Sequence, residues 1–184
     1  SDSYCDTALI ARRLEQEKAT PALFPIGQEF AVAGLAAWAD VTLFQHAVAQ
    51  VFQPEVLAER FARLPAAAVE AFKADRAGLF AGGTASRLSL EQARHQWPAL
   101  MSRLEEQLQR SGDYLSGDPS IADSASAHPL WFLRQAPLTA AAVDDYPNAL
   151  AWPHRGEGFG HGTLTATMPV EVCDVTWHTH PLVA

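Results

Sequence analysis

Apolar positions recur at three- and four-residue spacing through most of the chain, and a proline, a glycine or a capping residue bounds each such stretch. Between Asp6 and Glu17, Leu9, Ile10 and Leu14 follow helical spacing with charges on the other face, and Asp6 or Thr7 is available as N-cap. Two prolines and a glycine then surround Leu23 and Phe24, the composition of a connector pinned by an apolar anchor. From Glu29 to Phe52, "EFAVAGLAAWADVTLFQHAVAQVF" is apolar on nearly every face, which predicts a core helix buried around most of its circumference. Pro54 stops it, and two shorter amphipathic helices follow, separated at Pro65, the second broken by Gly82 and Gly83.

A longer helix opens with Ser89-x-x-Gln92, a capping box, and ends at Gly112, with Pro98 expected to kink it. Ser120-x-x-Asp123 marks the next helix start: the serine hydroxyl and the acid satisfy each other's backbone donors before an apolar run. Pro129 falls inside that run and predicts a bend, because it lacks the N–H that the helix needs. "TAAAVDDYPNALAW" reads as a short helical piece. Beyond Pro153, glycines at 156, 158, 160 and 162 break the pattern, and residues 163–172 alternate apolar with Thr, Pro or Glu, the periodicity of an extended segment or small hairpin. Residues after Trp152 are therefore expected to add little to the core.

The chain has 184 residues, 48% of them hydrophobic and 18% charged, with a formal net charge of -8. That is the profile of a folded domain with a real core. Its thirteen basic residues are scattered among twenty-one acidic ones, which argues against nucleic acid as a partner, since phosphate binding needs clustered cations. Cys5 and Cys173 belong to no zinc or Cys-x-x-Cys pattern and suit a reducing cytoplasm. Neither a leader pattern nor a run of about 18 apolar residues stands out, so no membrane crossing is expected.

The junction Gly112-Asp113-Tyr114-Leu115-x-Gly117-Asp118-x-Ser120-Ile121-Ala122-Asp123 resembles, nearly residue for residue, the segment before the central helix of the glutathione transferase C-terminal domain. The N-terminal "CDTALIARRLE" is similar to the same family's acidic–hydroxyl segment, with Asp6 and Thr7 in those two positions and Ile10 and Leu14 in the apolar ones. The order of elements over residues 1 to about 152 follows the family as well. The resemblance implies an all-α bundle, with 1–18 the last helix of a thioredoxin-like domain, 19–28 a linker, 29–152 the helical domain and 153–184 a Gly/Thr/His-rich tail.

It further implies a glutathione-dependent transferase, conjugating glutathione to a small electrophilic or hydrophobic substrate or using it for reduction, with glutathione as co-substrate and a homodimer as a common assembly. Asp6 and Thr7 would contact the glutamyl end of glutathione, as an ammonium favours a carboxylate and a carboxylate favours donors at a helix N-terminus. In the family the thiol-activating residue lies in the thioredoxin-like domain, most of which has no counterpart here, so this chain alone is expected to be inactive. The alternative is a helical interaction module without chemistry.

Trp38 and Phe44 are candidates for the substrate side of the cleft, since in the family this helix lines it; core packing is the other reading of both. His46 and His128 read as hydrogen-bonded core residues rather than catalysts. "GEGFGHG" matches no phosphate-binding register and reads as a flexible loop. His178 and His180, with His161 or Cys173, could approach a zinc set, but a terminal His-x-His without a carboxylate is more simply a solvated tail, and no metal is expected. Cys5, close to a helix start, is either a favoured thiolate or a buried neighbour of Asp6.

Overall fold

The structure, a computed structural model, describes residues 6–79, 88–157 and Gly160. Its elements are α1 (Thr7–Glu17), α2 (Glu29–Trp38), a π-helical turn (Ala39–Leu43), α3 (Phe44–Val51), α4 (Pro54–Arg60), α5 (Ala66–Leu79), α6 (Leu90–Ser111), α7 (Ile121–Arg134), α8 (Pro137–Ala140) with a 3-10 turn after it (Ala141–Val143), and α9 (Pro147–Glu157). Among the described residues the fold is all-α, as the apolar periodicity and the family resemblance predict. The expected extended segment at 163–172 lies outside the described residues.

Helix α7 is the hub. Its buried positions, Ala122, Asp123, Ser126, Pro129, Leu130 and Leu133, wind along one wide stripe. Against it pack α2, the π turn and α3 on one side and α9 on another. Helix α6 buries Ala93, Trp97, Leu100, Met101, Leu104 and Leu108, a stripe at helical period, against α3 and α9. Its start is closed by the expected box: Gln92 N donates to Ser89 Oγ at 3.1 Å, and Ser89 N to Gln92 Oε1 at 3.1 Å. Neither internal proline stops its helix; α6 runs through Pro98, and α7 through Pro129, which is fully buried.

Three expectations need correction. The rod α2–π turn–α3 is not buried all round: Phe30 is 94% exposed, Val41 72%, and Gly34, Ala37 and Gln45 complete a solvent-facing stripe at three- to four-residue spacing. An all-apolar helix carries no polar side to mark which face the core takes, so the sequence overstates its burial. The same run, Glu29–Val51, is long and apolar enough to cross a membrane by length and composition, contrary to the reading that no such stretch exists. Here it contributes Val32, Ala39, Leu43, Ala47 and Val51 to the core. Third, α9 continues through Pro153 to Glu157, and Trp152 and Pro153 are both buried, so helical packing extends past Trp152 and Gly156 is helical rather than loop.

What aims α9 is Glu105, reaching from α6. Its carboxylate accepts from Asn148 N at 3.0 Å, Asn148 Nδ2 at 2.7 Å and Ala149 N at 2.9 Å, capping a helix start with a side chain from another element. Trp97 Nε1 donates to Ala142 O at 2.7 Å and fixes the approach.

In the middle of α7, the Ser126 hydroxyl is fully buried with no hydrogen-bond partner among the described residues. A buried hydroxyl without a partner forfeits its hydration for nothing. Ser126→Ala is therefore expected to raise the unfolding free energy by about 1 kcal/mol, the lower end of that penalty. Urea denaturation checks this; a lower midpoint at unchanged slope would mean that the hydroxyl does have an acceptor.

Candidate functional site

The N-terminal end of α1 forms from Asp6 and Thr7. Asp6 sits in extended conformation, and its Oδ1 accepts from Ala8 N at 2.7 Å and Leu9 N at 3.1 Å, so the acid is the N-cap. Thr7 is the first helical residue, and both side chains are exposed. Asp6 Oδ1 is engaged by the cap, Oδ2 has no hydrogen bond among the described residues, and Ala8 N, Leu9 N and Ile10 N are all paired with Asp6, which leaves the exposed Thr7 hydroxyl as the polar group beside the acid. Chemically, that pair suits a zwitterionic ligand end. At this helix start the side-chain groups are the Asp6 carboxylate and the Thr7 hydroxyl; the cations of α1 lie further along it, Arg12 over the ring of Phe24 and Arg13 paired with Glu17.

Connector and helix are bound to each other. Glu15 Oε2 accepts from Leu23 N at 2.6 Å, and the Arg12 guanidinium lies 3.6 Å above the ring of Phe24, which is buried as the anchor that its flanking prolines suggest. From there Ile121 N donates to Leu23 O at 2.9 Å, so the start of α7 is tied to the connector.

The Ser120–Asp123 box forms, and it does more than close a helix. The buried Asp123 carboxylate accepts from Ser120 N at 2.9 Å, Ser120 Oγ at 2.8 Å and Leu115 N at 2.8 Å. The third donor belongs to the preceding turn, which the Ser-x-x-Asp pattern does not announce. Gly112 and Gly117 supply the positive φ angles, +90° and +93°, that this turn requires.

Trp38 and Phe44 part company. Trp38 is half-buried and packs on the core, whereas Phe44 leaves the rod beyond the π turn and meets α7. Its ring lies 5.7 Å from His128 and 6.2 Å from Phe132, centroid to centroid and nearly parallel. No ring contact or hydrogen bond among the described residues joins Asp6 to either aromatic. His128 is exposed rather than in the core, against expectation, and stacks at 6.1 Å on Trp131. That aromatic group escaped sequence reasoning, although His128, Trp131 and Phe132 recur at three- and four-residue spacing on one face of α7.

His46 is the hydrogen-bonded core residue expected: Nδ1 lies 2.7 Å from Thr42 O and Nε2 3.0 Å from Gln96 Oε1. Because Thr42 O only accepts, Nδ1 is the donor in that bond. Among the described residues no three His, Cys, Asp or Glu side chains gather as a metal site. Cys5, Cys173, His161, His178 and His180 lie outside the described residues. A polar hollow of about 540 Å³ beside Ser89, Gln92 and His95 includes none of the expected residues.

No family model matches the chain, and no curated protein does either. Among solved structures, the chain is similar to a GST-like protein from Pseudomonas syringae, known at 2.4 Å, with 49% identity and a TM-score of 0.72. The similarity covers 100% of this chain and 55% of that one, so the chain spans about half the length of its structural relative.

The two acid caps are expected to differ in weight. Asp6→Ala removes an exposed cap and costs about 0.5–1 kcal/mol, whereas Asp123→Ala strands the buried N–H groups of Leu115 and Ser120 and costs about 2–4 kcal/mol. Denaturation midpoints of the two variants, at equal slope, test this; equal losses would remove Asp123 from its place at the junction.

Proposed function

Since the chain is GST-like in fold and sequence, we propose that it supplies the helical part of a glutathione-dependent transferase, acting in the cytoplasm on a small electrophilic or hydrophobic substrate. The observation that carries this reading is the 49% identity over the whole chain, to which the exposed Asp6 carboxylate beside Thr7 adds a matching ligand end. In this reading Asp6 and Thr7 orient the glutamyl end of glutathione and a thioredoxin-like unit supplies the thiol-activating donor. Leu9, Ile10 and Leu14, all exposed on α1, are the apolar surface such a unit would cover.

Positioning and activation are separable by chemistry. A carboxylate and a hydroxyl at one end of a tripeptide hold it still; they do not lower the pKa of a thiol at the other end, which needs a donor aimed at sulfur. The polar contacts available at α1 contribute about 0.5–1.5 kcal/mol each, less than the cost of ordering a flexible peptide.

A second reading, a non-catalytic helical interaction module, is favoured by Ile26, 97% exposed, lying close in sequence to Phe30 on the unpartnered side of the rod. A homodimer would cover the same stripe under either reading.

Conjugation to an aromatic electrophile distinguishes the two. The 184-residue chain alone is expected to show no turnover and weak or undetectable glutathione binding by calorimetry. A form carrying a thioredoxin-like unit is expected to turn over, and Asp6→Ala in it to raise KM for glutathione about tenfold while kcat changes little. Turnover by the chain alone that vanishes in Asp6→Ala would overturn the division of labour, and an inactive longer form would favour the interaction module.

A further inference from the structure

Helix α5 stands apart from the bundle. The leading packings, which join α2, α3, α6, α7 and α9, do not include it, and none of residues 66–78 is buried. Only Val69, Phe72 and Arg76, three or four residues apart, are half-buried, so one narrow line of side chains holds a helix of 14 residues. Its ion pairs, Lys73–Glu70 and Arg76–Asp75, stay within the helix, and among the described residues none of its hydrogen bonds reaches another helix.

One side chain makes the attachment. The Phe72 ring lies 4.9 Å from Phe61, edge to face, and 6.3 Å from Phe52, nearly parallel at 23°. Phe52 stands where α3 ends and Phe61 where α4 ends, so Phe72 ties α5 to both. Arg76, 5.8 Å from the same ring, belongs to α5 itself and adds no tie to the bundle through it. Between α4 and α5, Leu64 N donates to Phe61 O at 2.9 Å in a tight turn, and Pro65 O accepts from Ala68 N at 2.9 Å and Val69 N at 3.2 Å. Backbone rotation within residues 62–65 swings α5 without disturbing α4, which is what a hinge requires.

We propose that α5 is a strap, hinged at residues 62–65 and latched by Phe72, that lifts and unwinds as a unit while the bundle stays folded, uncovering the rings of Phe52 and Phe61. A helix of this length is marginal in water without tertiary packing, and Gly78 in its last turn weakens it further. Once Phe72 leaves its partners, nothing comparable holds the remaining turns. Helices α6 and α7, by contrast, each bury six side chains along a stripe, and those come apart only with the core. Local opening is cheapest where buried apolar contact is least, so α5 opens first. The strap stands whether or not the chain takes part in thiol transfer.

Hydrogen exchange of the full chain, read by mass spectrometry where exchange reports the opening equilibrium, tests this. The amides of α5 are expected to exchange about a hundredfold faster than those of α6 and α7, yet slower than an unfolded peptide, and to respond less steeply to urea. Phe72→Ala should speed exchange in α5 about tenfold, and Gly78→Ala, whose added Cβ meets open space, should slow it about fivefold. Leu104→Ala, a cavity in α6, should speed α6 and α7 and leave α5 unchanged, because the bundle is equally intact with the strap closed or lifted. The wild-type urea series draws the same distinction should that variant not fold. Equal protection and equal urea slopes in α5, α6 and α7, an α5 that speeds up with them in Leu104→Ala, an α5 indifferent to Phe72→Ala, or one that exchanges as an unfolded peptide would each overturn the proposal.

Discussion

The rest of the structure depends on one buried carboxylate. Asp123 accepts three hydrogen bonds, two from Ser120 and one from Leu115, and so joins the start of α7 to the turn that delivers it. Gln107 Nε2 holds the same turn from α6 by donating to Leu115 O at 2.9 Å, and Ile121 N reaches the connector at Leu23 O. Three chain segments therefore meet at one helix terminus. A carboxylate serves here because it only accepts, and a helix start in a core offers only donors. With that end placed, the apolar stripe of α7 faces the rod on one side and α9 on the other, and the remaining elements pack around it.

The same device recurs at lower stakes. Asp6 caps α1, Glu15 holds the connector, Glu59 meets the start of α8, and Glu105 takes three donors at the start of α9. Part of the acidic excess of this protein is thus structural, placed where backbone N–H groups would otherwise be unpaired and where the helix dipole favours negative charge. Exposed ion pairs such as Arg110–Glu106 are of a different kind, screened by water and worth little.

Among the described residues, two faces have no partner. One, on α1, adjoins the ligand end formed by Asp6 and Thr7; the other follows Phe30, Gly34, Ala37 and Val41 along the rod. Both present apolar side chains and suit protein surfaces, which bury apolar area without needing a charge.

The all-α class, the starts of α1 and α6 at Asp6 and Ser89, the end of α6 at Gly112 and the breaks at Pro54 and Pro65 were all legible in the sequence. Each is decided within a few residues, by a capping side chain, a missing N–H or a glycine φ. The Ser120–Asp123 pair was legible for the same reason, and so was the family resemblance that rests on it. The buried side of the rod was not, because a helix apolar all round has no polar face to mark its orientation. Nor was the continuation of α9 through Pro153, where burial of Trp152 and Pro153 outweighs a lost backbone bond. Leu115 N on Asp123, Glu105 at α9, and Phe44 beside His128 are likewise tertiary facts. Sequence determined where each helix begins and ends, since those signals act over one turn; tertiary structure decided which side chains from different helices share a site, since that depends on how stripes of matching shape pack across the core.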